Sequence, residues 1–241
     1  MPKIPKNPEQ IFQEFTNDYK NTFSDNLIAI ILYGSAARGE YIYKKSDINF
    51  LMVLSEPGIK KLRDALPFIS KWKKRNVSIP LMLTPEYIKS ALDSFPIEFM
   101  NMKQNYRVIY GEDVLAKIEI HPEYLRLQCE REIRGKLLWL REGYLNTNGK
   151  AALIKSLFKV SLPAFSSIFS ALLFLKDEEV PELKRQIFIK TSGVFNLDSK
   201  VFENIFSLEN KKPKLKKEQI YELMEQYIEQ IAKLTDITDK L

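Results

Sequence analysis

Two uninterrupted apolar runs constrain this chain more than any other feature. LIAIILY occupies residues 27–33 and INFLMVL occupies 48–54. A strand with one wet face alternates polar and apolar side chains, whereas a run without polar interruption reads as a strand covered on both sides. The segment joining the runs opens with Gly34-Ser35 and closes with Ser46-Asp47. The pattern calls for a sheet packed on both faces, with a polar corner between two of its strands.

The flanking residues supply the layers. Asn7 can cap a helix over residues 8–23, with Pro8 at its first position and Ile11, Phe12, Phe15 and Tyr19 on one face. A second helix is expected over 58–74, carrying Ile59, Leu62, Leu66 and Ile69 at helical spacing. VSIPLMLT (77–84) reads as a third strand, at a sheet edge because Pro80 cannot donate to a ladder. Thr84-Pro85-Glu86 opens another helix, and YRVIYGED (106–113) reads as a short strand ending in a glycine turn.

From Pro122 the period becomes helical. Leu125, Cys129, Ile133, Leu137, Leu140 and Tyr144 form one stripe. A helix over 150–175, bent at Pro163, is expected next, then shorter helices near 181–191 and 199–207. NKKPKLKK (210–217) reads as a basic linker before a last helix carrying Ile220, Leu223, Tyr227, Ile231 and Leu234. The expected class is α+β: a small α/β domain with a mixed sheet over 1–120, then an antiparallel helical bundle over 121–241.

Composition narrows the function. The chain has 241 residues and a net charge of +6, which suits a polyanionic ligand such as a nucleotide, although a basic surface is more often only solvated. One cysteine, Cys129, excludes an intrachain disulfide and fits the reducing cytoplasm. The N-terminus lacks the apolar core of a signal peptide. The run 160–175 is too short and serine-rich to span a bilayer, so no membrane partner is expected. His121 is the sole histidine and sits at a helix start, which restricts histidine-paired catalysis to that residue.

The corner itself carries chemistry. Side chains alternate along a strand, so Asp47 and Asn49 share a face. Gly34 lets an anion approach the backbone, and Ser35 offers a hydroxyl. A helix starting near Ser35 would aim free N–H groups at a phosphate, with Arg38 about one turn on and Ser46 at the strand entrance.

Gly34-Ser35 followed by Asp47-x-Asn49, strand to strand, resembles the signature of the DNA polymerase beta-type nucleotidyltransferase superfamily. GSAARGEYIYKKSDINFLMVL is similar in particular to its minimal and kanamycin-type aminoglycoside nucleotidyltransferases. FPIEF, YRVIYGEDVL and LRLQCEREIRGKLLWLREGYL look like an uncharacterised bacterial group of the same superfamily. The resemblance implies that Gly34 and Ser35 hold the triphosphate of ATP or another nucleoside triphosphate. It implies that Asp47 and residue 49 ligate magnesium, and that a third carboxylate acts as base or ligand. The implied reaction is attack of an acceptor hydroxyl on the α-phosphate with release of pyrophosphate.

The chain departs from that pattern twice. Residue 49 is Asn, whose amide oxygen carries no charge for a hard cation. The third strand has no carboxylate near Ser78 or Pro80; the nearest candidates, Glu86, Asp93 and Glu98, lie beyond it, and Glu98 in FPIEF is preferred because the Phe-Pro turn could direct it inward. Three readings follow: a magnesium-dependent nucleotidyltransferase with a weakened metal site, a catalytically inactive nucleotide-binding relative (a pseudoenzyme), or an interaction protein built on the bundle. The expected partners are a nucleoside triphosphate and an unidentified acceptor. Nucleic acid is not expected, and a homo-oligomer stays open.

Overall fold

The computed structural model describes residues 3–209 and 215–241. Two compact units divide the chain: Met1–Asp93 with Glu98–Ile120, and Ser94–Ile97 with His121–Leu241.

The first unit is built on a sheet whose described strands run in the order β3-β2-β1-β4. β1 (Leu27–Tyr33) is flanked by β2 (Asn49–Leu54) and β4 (Tyr106–Gly111), both antiparallel to it. β3 (Leu81–Leu83) lies parallel to β2 at the edge that Pro80 called for. It is shorter than the expected 77–84, because Pro80 interrupts the ladder. Only an isolated bridge, Ile48 to Val77, extends the pairing toward the N-terminal end. β4 ends at Gly111, φ +77°, where a Cβ would stand 1.9 Å from the Ile28 carbonyl oxygen.

Both sheet faces are covered. Ile30, Leu32, Ile48, Phe50, Met52 and Leu54 point to one side. There they meet Phe15, Tyr19 and Phe23 of α1 (Phe12–Phe23) and Trp72. Phe15 stacks on Phe50 at 4.1 Å between ring centroids and meets Trp72 edge-on at 5.0 Å.

The expected helix over 58–74 is broken into pieces. A single turn, α2 (Glu56–Ile59), is followed by a 3₁₀ turn (Leu62–Ala65) and α3 (Leu66–Lys73). Pro57 and Pro67 each sit at a helix start, where a missing N–H costs nothing. Leu62 and Leu66 are exposed despite their spacing; Ala65 and Trp72 are the buried anchors. Lys71 donates to Asp18 at 2.6 Å and the Trp72 indole donates to the same carboxylate at 3.0 Å, tying α3 to α1.

The opposite face carries Ala29, Ile31, Leu51 and Val53. They pack on Ile88 and Ala91 of α4 (Pro85–Ala91) and on Phe99 and Met102 of α5 (Pro96–Gln104). Thr84 caps α4 by accepting from the Tyr87 N–H at 3.1 Å, as the Thr-Pro-Glu order implied.

The second unit is helical: α6 (Pro122–Asn146), α7 (Ala151–Phe174), α8 (Lys184–Val194), α9 (Ser199–Glu209) and α10 (Lys217–Thr238). α7 runs through Pro163 without ending. It is the one described helix long and apolar enough to cross a membrane by length and composition. Its Phe158, Phe165 and Phe169 are buried among Phe188, Phe202 and Tyr227, which makes it the core helix of the bundle. Cys129 is buried on α6. Most of the basic linker expected at 210–217 lies outside the described residues.

Candidate functional site

The corner is set by the register of β1 and β2. Tyr33, the last residue of β1, pairs with Asn49, the first of β2. Gly34 follows with φ +76°, a left-handed conformation that turns the chain away from the sheet. A Cβ built on Gly34 would lie 3.3 Å from the Asn49 Nδ2, so the side chain of residue 49 stands against the glycine corner. Alternation puts Asn49 on the face of Leu51 and Val53, and Tyr33 and Tyr106 pack against that same cluster. Tyr106 pairs with Tyr33 in turn. Across the sheet end, Asn49, Tyr33 and Tyr106 therefore form one row.

The remaining candidates fall as follows. Asp47 precedes the Ile48 bridge, is exposed, and makes no ion pair or hydrogen bond among the described residues. Asn49 is half-buried and its amide makes no hydrogen bond among the described residues. The helix expected near Ser35 does not form: Gly34–Ala36 is a three-residue 3₁₀ turn. It closes with the Ala37 N–H donating to the Gly34 carbonyl at 3.0 Å. Ala37 to Gly39 continue as a tight turn, with Gly39 at φ +77°, and divert the chain before an α-helix can propagate.

Arg38 is engaged locally, its Nε 2.9 Å from Glu40 Oε2. The Ser46 hydroxyl is also committed, accepting from the Ile42 N–H at 3.0 Å and so closing the loop that delivers Asp47. Glu98 stands exposed in the first turn of α5, the helix that covers the Asn49 face through Phe99 and Met102. The FPIEF stretch is thus a helix start, with Pro96 at the first position. His121 is exposed at the N-cap of α6 and makes no capping hydrogen bond.

Among the described residues, no group of three His, Cys, Asp or Glu side chains stands close enough to hold a metal ion. The candidate donors are the exposed Asp47 carboxylate and, two residues on, the uncharged Asn49 amide. One carboxylate would suit a single magnesium ion carried with a nucleotide. It does not fit a pair of ions a few ångströms apart, which need several anionic oxygens to offset their repulsion.

Tyr33 is the residue that reading the sequence missed. A tyrosine closing an apolar run reads as strand core, and only the cross-strand register reveals its pairing with Asn49. Burial pushes its phenol above the usual range, which favours the neutral O–H, a hydrogen-bond donor. Burial first, then the hydrogen bond to Asp113 Oδ2 at 3.0 Å, does the same for Tyr106.

No family model matches the chain. "Putative protein adenylyltransferase MJ1305" of Methanocaldococcus jannaschii is 34% identical over 110 residues, 43% of this chain and 71% of that protein. "Putative protein adenylyltransferase MJ0141" of the same organism is 27% identical over 100 residues, 41% of this chain and 94% of that protein. Among solved structures, spectinomycin adenyltransferase AAD(9) from Enterococcus faecialis, with ATP and spectinomycin, superposes with a TM-score of 0.53. That match covers 91% of this chain and 99% of the other at 12% identity, a likeness of fold. The chain belongs to the nucleotidyltransferase superfamily.

Proposed function

We propose that the Gly34–Asn49 corner binds the triphosphate of ATP and that the protein transfers the adenylyl group to an acceptor hydroxyl. The carrying observation is the Asn49 side chain set against Gly34, with an exposed Asp47, unpaired among the described residues, two positions before it. The 34% relative, named as a protein adenylyltransferase, favours a protein side-chain hydroxyl as acceptor over a small molecule.

In this reading Gly34 admits the phosphates to the backbone and Ser35 adds its hydroxyl. Asp47 would hold a magnesium ion carried in with the nucleotide, and the ion would supply positive charge to the phosphates. The acceptor oxygen forms a bond to the α-phosphorus, and the bond to the bridging oxygen breaks with release of pyrophosphate. Glu98, on the helix that covers the Asn49 face, is assigned to take the acceptor's proton. A nucleotide-binding protein without transfer is the second reading, favoured by the absence of a three-acid group among the described residues.

Calorimetric ATP titration joined to an assay with α-labelled ATP separates the two. Transfer predicts ATP binding and covalent label on a hydroxyl acceptor, abolished by Asp47→Asn. Glu98→Gln should lower the rate while leaving ATP affinity unchanged. Binding without label in any extract or with any acceptor supports the second reading, and no binding rejects both.

A further inference from the structure

Resting on the reading that a triphosphate occupies this corner, we propose that Asn49 and Tyr33 hold its phosphates as neutral hydrogen-bond donors. Residue 49 then serves an anion, not a metal ion.

The placement of the amide carries this. The amide end of Asn49 stands 3.3 Å from the point where a Gly34 Cβ would sit, and nothing else outside the adjoining chain lies within 4 Å of that point. No hydrogen bond among the described residues fixes which way round the amide sits, so its NH₂ is free to turn to the corner. An NH₂ group has two donors, and the amide carries no charge for magnesium. The chemistry this side chain adds beside the glycine is therefore donation to an anion.

Tyr33 adds a second donor beside the first. Tyr33 and Asn49 are directly paired on one sheet face, where Cβ atoms stand roughly 5 Å apart. Neither group makes a hydrogen bond among the described residues. Neither is among the buried polar atoms that lack a partner, Tyr19 Oη, Arg75 Nε and Thr191 Oγ1, so both reach solvent. The neighbouring Tyr106 hydroxyl, by contrast, is spent on Asp113. Replacing a carboxylate oxygen by NH₂ at position 49 turns repulsion of a phosphate into donation to it.

The test is ATP affinity of the full chain by calorimetry, in excess magnesium and in EDTA, for wild type, Asn49→Ala, Asn49→Asp and Tyr33→Phe. Thermal melts alongside establish that each variant is folded. Asn49→Ala and Tyr33→Phe should each weaken binding about fivefold to tenfold in both buffers. In EDTA, Asn49→Asp should bind more weakly than Asn49→Ala, because it adds a charge of the wrong sign. A loss on Asn49→Ala confined to the magnesium buffer makes Oδ1 a metal ligand and overturns the proposal. Unchanged affinity in Tyr33→Phe, or tighter binding by Asn49→Asp in EDTA, also overturns it. Wild-type binding in magnesium but not in EDTA overturns the donor assignment while sparing the triphosphate reading. No wild-type binding in either buffer removes both.

Discussion

The two faces of the sheet are finished differently, and the difference separates structure from function. On the α1–α3 face, the row of Phe50, Met52 and Leu54 is closed over by Phe15, Tyr19 and Trp72, and the Trp72 indole donates to Asp18. On the α4–α5 face, Leu51 and Val53 are covered, but the row ends in Asn49, Tyr33 and Tyr106. Two of those three side chains have no described partner. One face is sealed with stacked aromatics, and the other leaves two polar side chains open, as the proposed nucleotide site requires.

Substitutions that cross this divide should behave in opposite ways. The largest effect is expected from Phe15→Ala, which removes a fully buried ring stacked on Phe50. It should destabilise the protein by about 3–5 kcal/mol in denaturant unfolding. The same measurement on Tyr33→Phe should change little, because the ring stays and its hydroxyl holds no described partner. A loss for Tyr33→Phe comparable to that for Phe15→Ala would erase the contrast between the faces.

Gly34→Ala comes next. It forces an L side chain to φ +76° and crowds the Asn49 amide. The backbone strain alone is about 1–2 kcal/mol. Displacement of the amide should lower ATP affinity by about tenfold or more, read by calorimetry. Retained affinity would detach the glycine corner from nucleotide binding.

Asn49→Asp sharpens the electrostatic side of the comparison. With a second carboxylate beside Asp47, magnesium affinity and any transferase rate should rise severalfold, measured by metal titration and label transfer. An unchanged rate would show that charge at position 49 does not limit the reaction.

The smallest effect belongs to the closed face. The Glu14 carboxyl is held below its ordinary 4.5, chiefly by the hydrogen bond from Lys71 and then by that from Arg75. A depressed carboxylate stabilises the fold above its unfolded pKa and loses that contribution as pH falls through the folded value. Both partners are partly exposed, so solvent screening limits the gain to less than about 1 kcal/mol. Melting temperature against pH should therefore separate wild type from Glu14→Gln near neutrality and converge in acid.

β1 and β2 were legible because a continuous apolar run has few alternatives to a buried strand, and the bundle because its stripes repeat over many turns. The segment 58–74 was not. Leu62 and Leu66 have helical spacing, but Pro57, Gly58 and Pro67 partition the segment, and tertiary packing chose Ala65 and Trp72 as anchors. The turn after β1 was legible at Gly34, because backbone freedom restricts what can stand there. The partnering was not. That Arg38 is tied to Glu40, that Ser46 closes its own loop and that Tyr33 faces Asn49 are facts of register and loop closure, which spacing alone does not carry.

The most direct measurement is a crystal structure with manganese and a non-hydrolysable ATP analogue. The account predicts triphosphate oxygens within hydrogen-bond distance of Asn49 Nδ2 beside Gly34, and one anomalous scatterer held by Asp47. A nucleotide bound elsewhere, or phosphates at the corner with Asn49 turned away and a metal on its Oδ1, would contradict it.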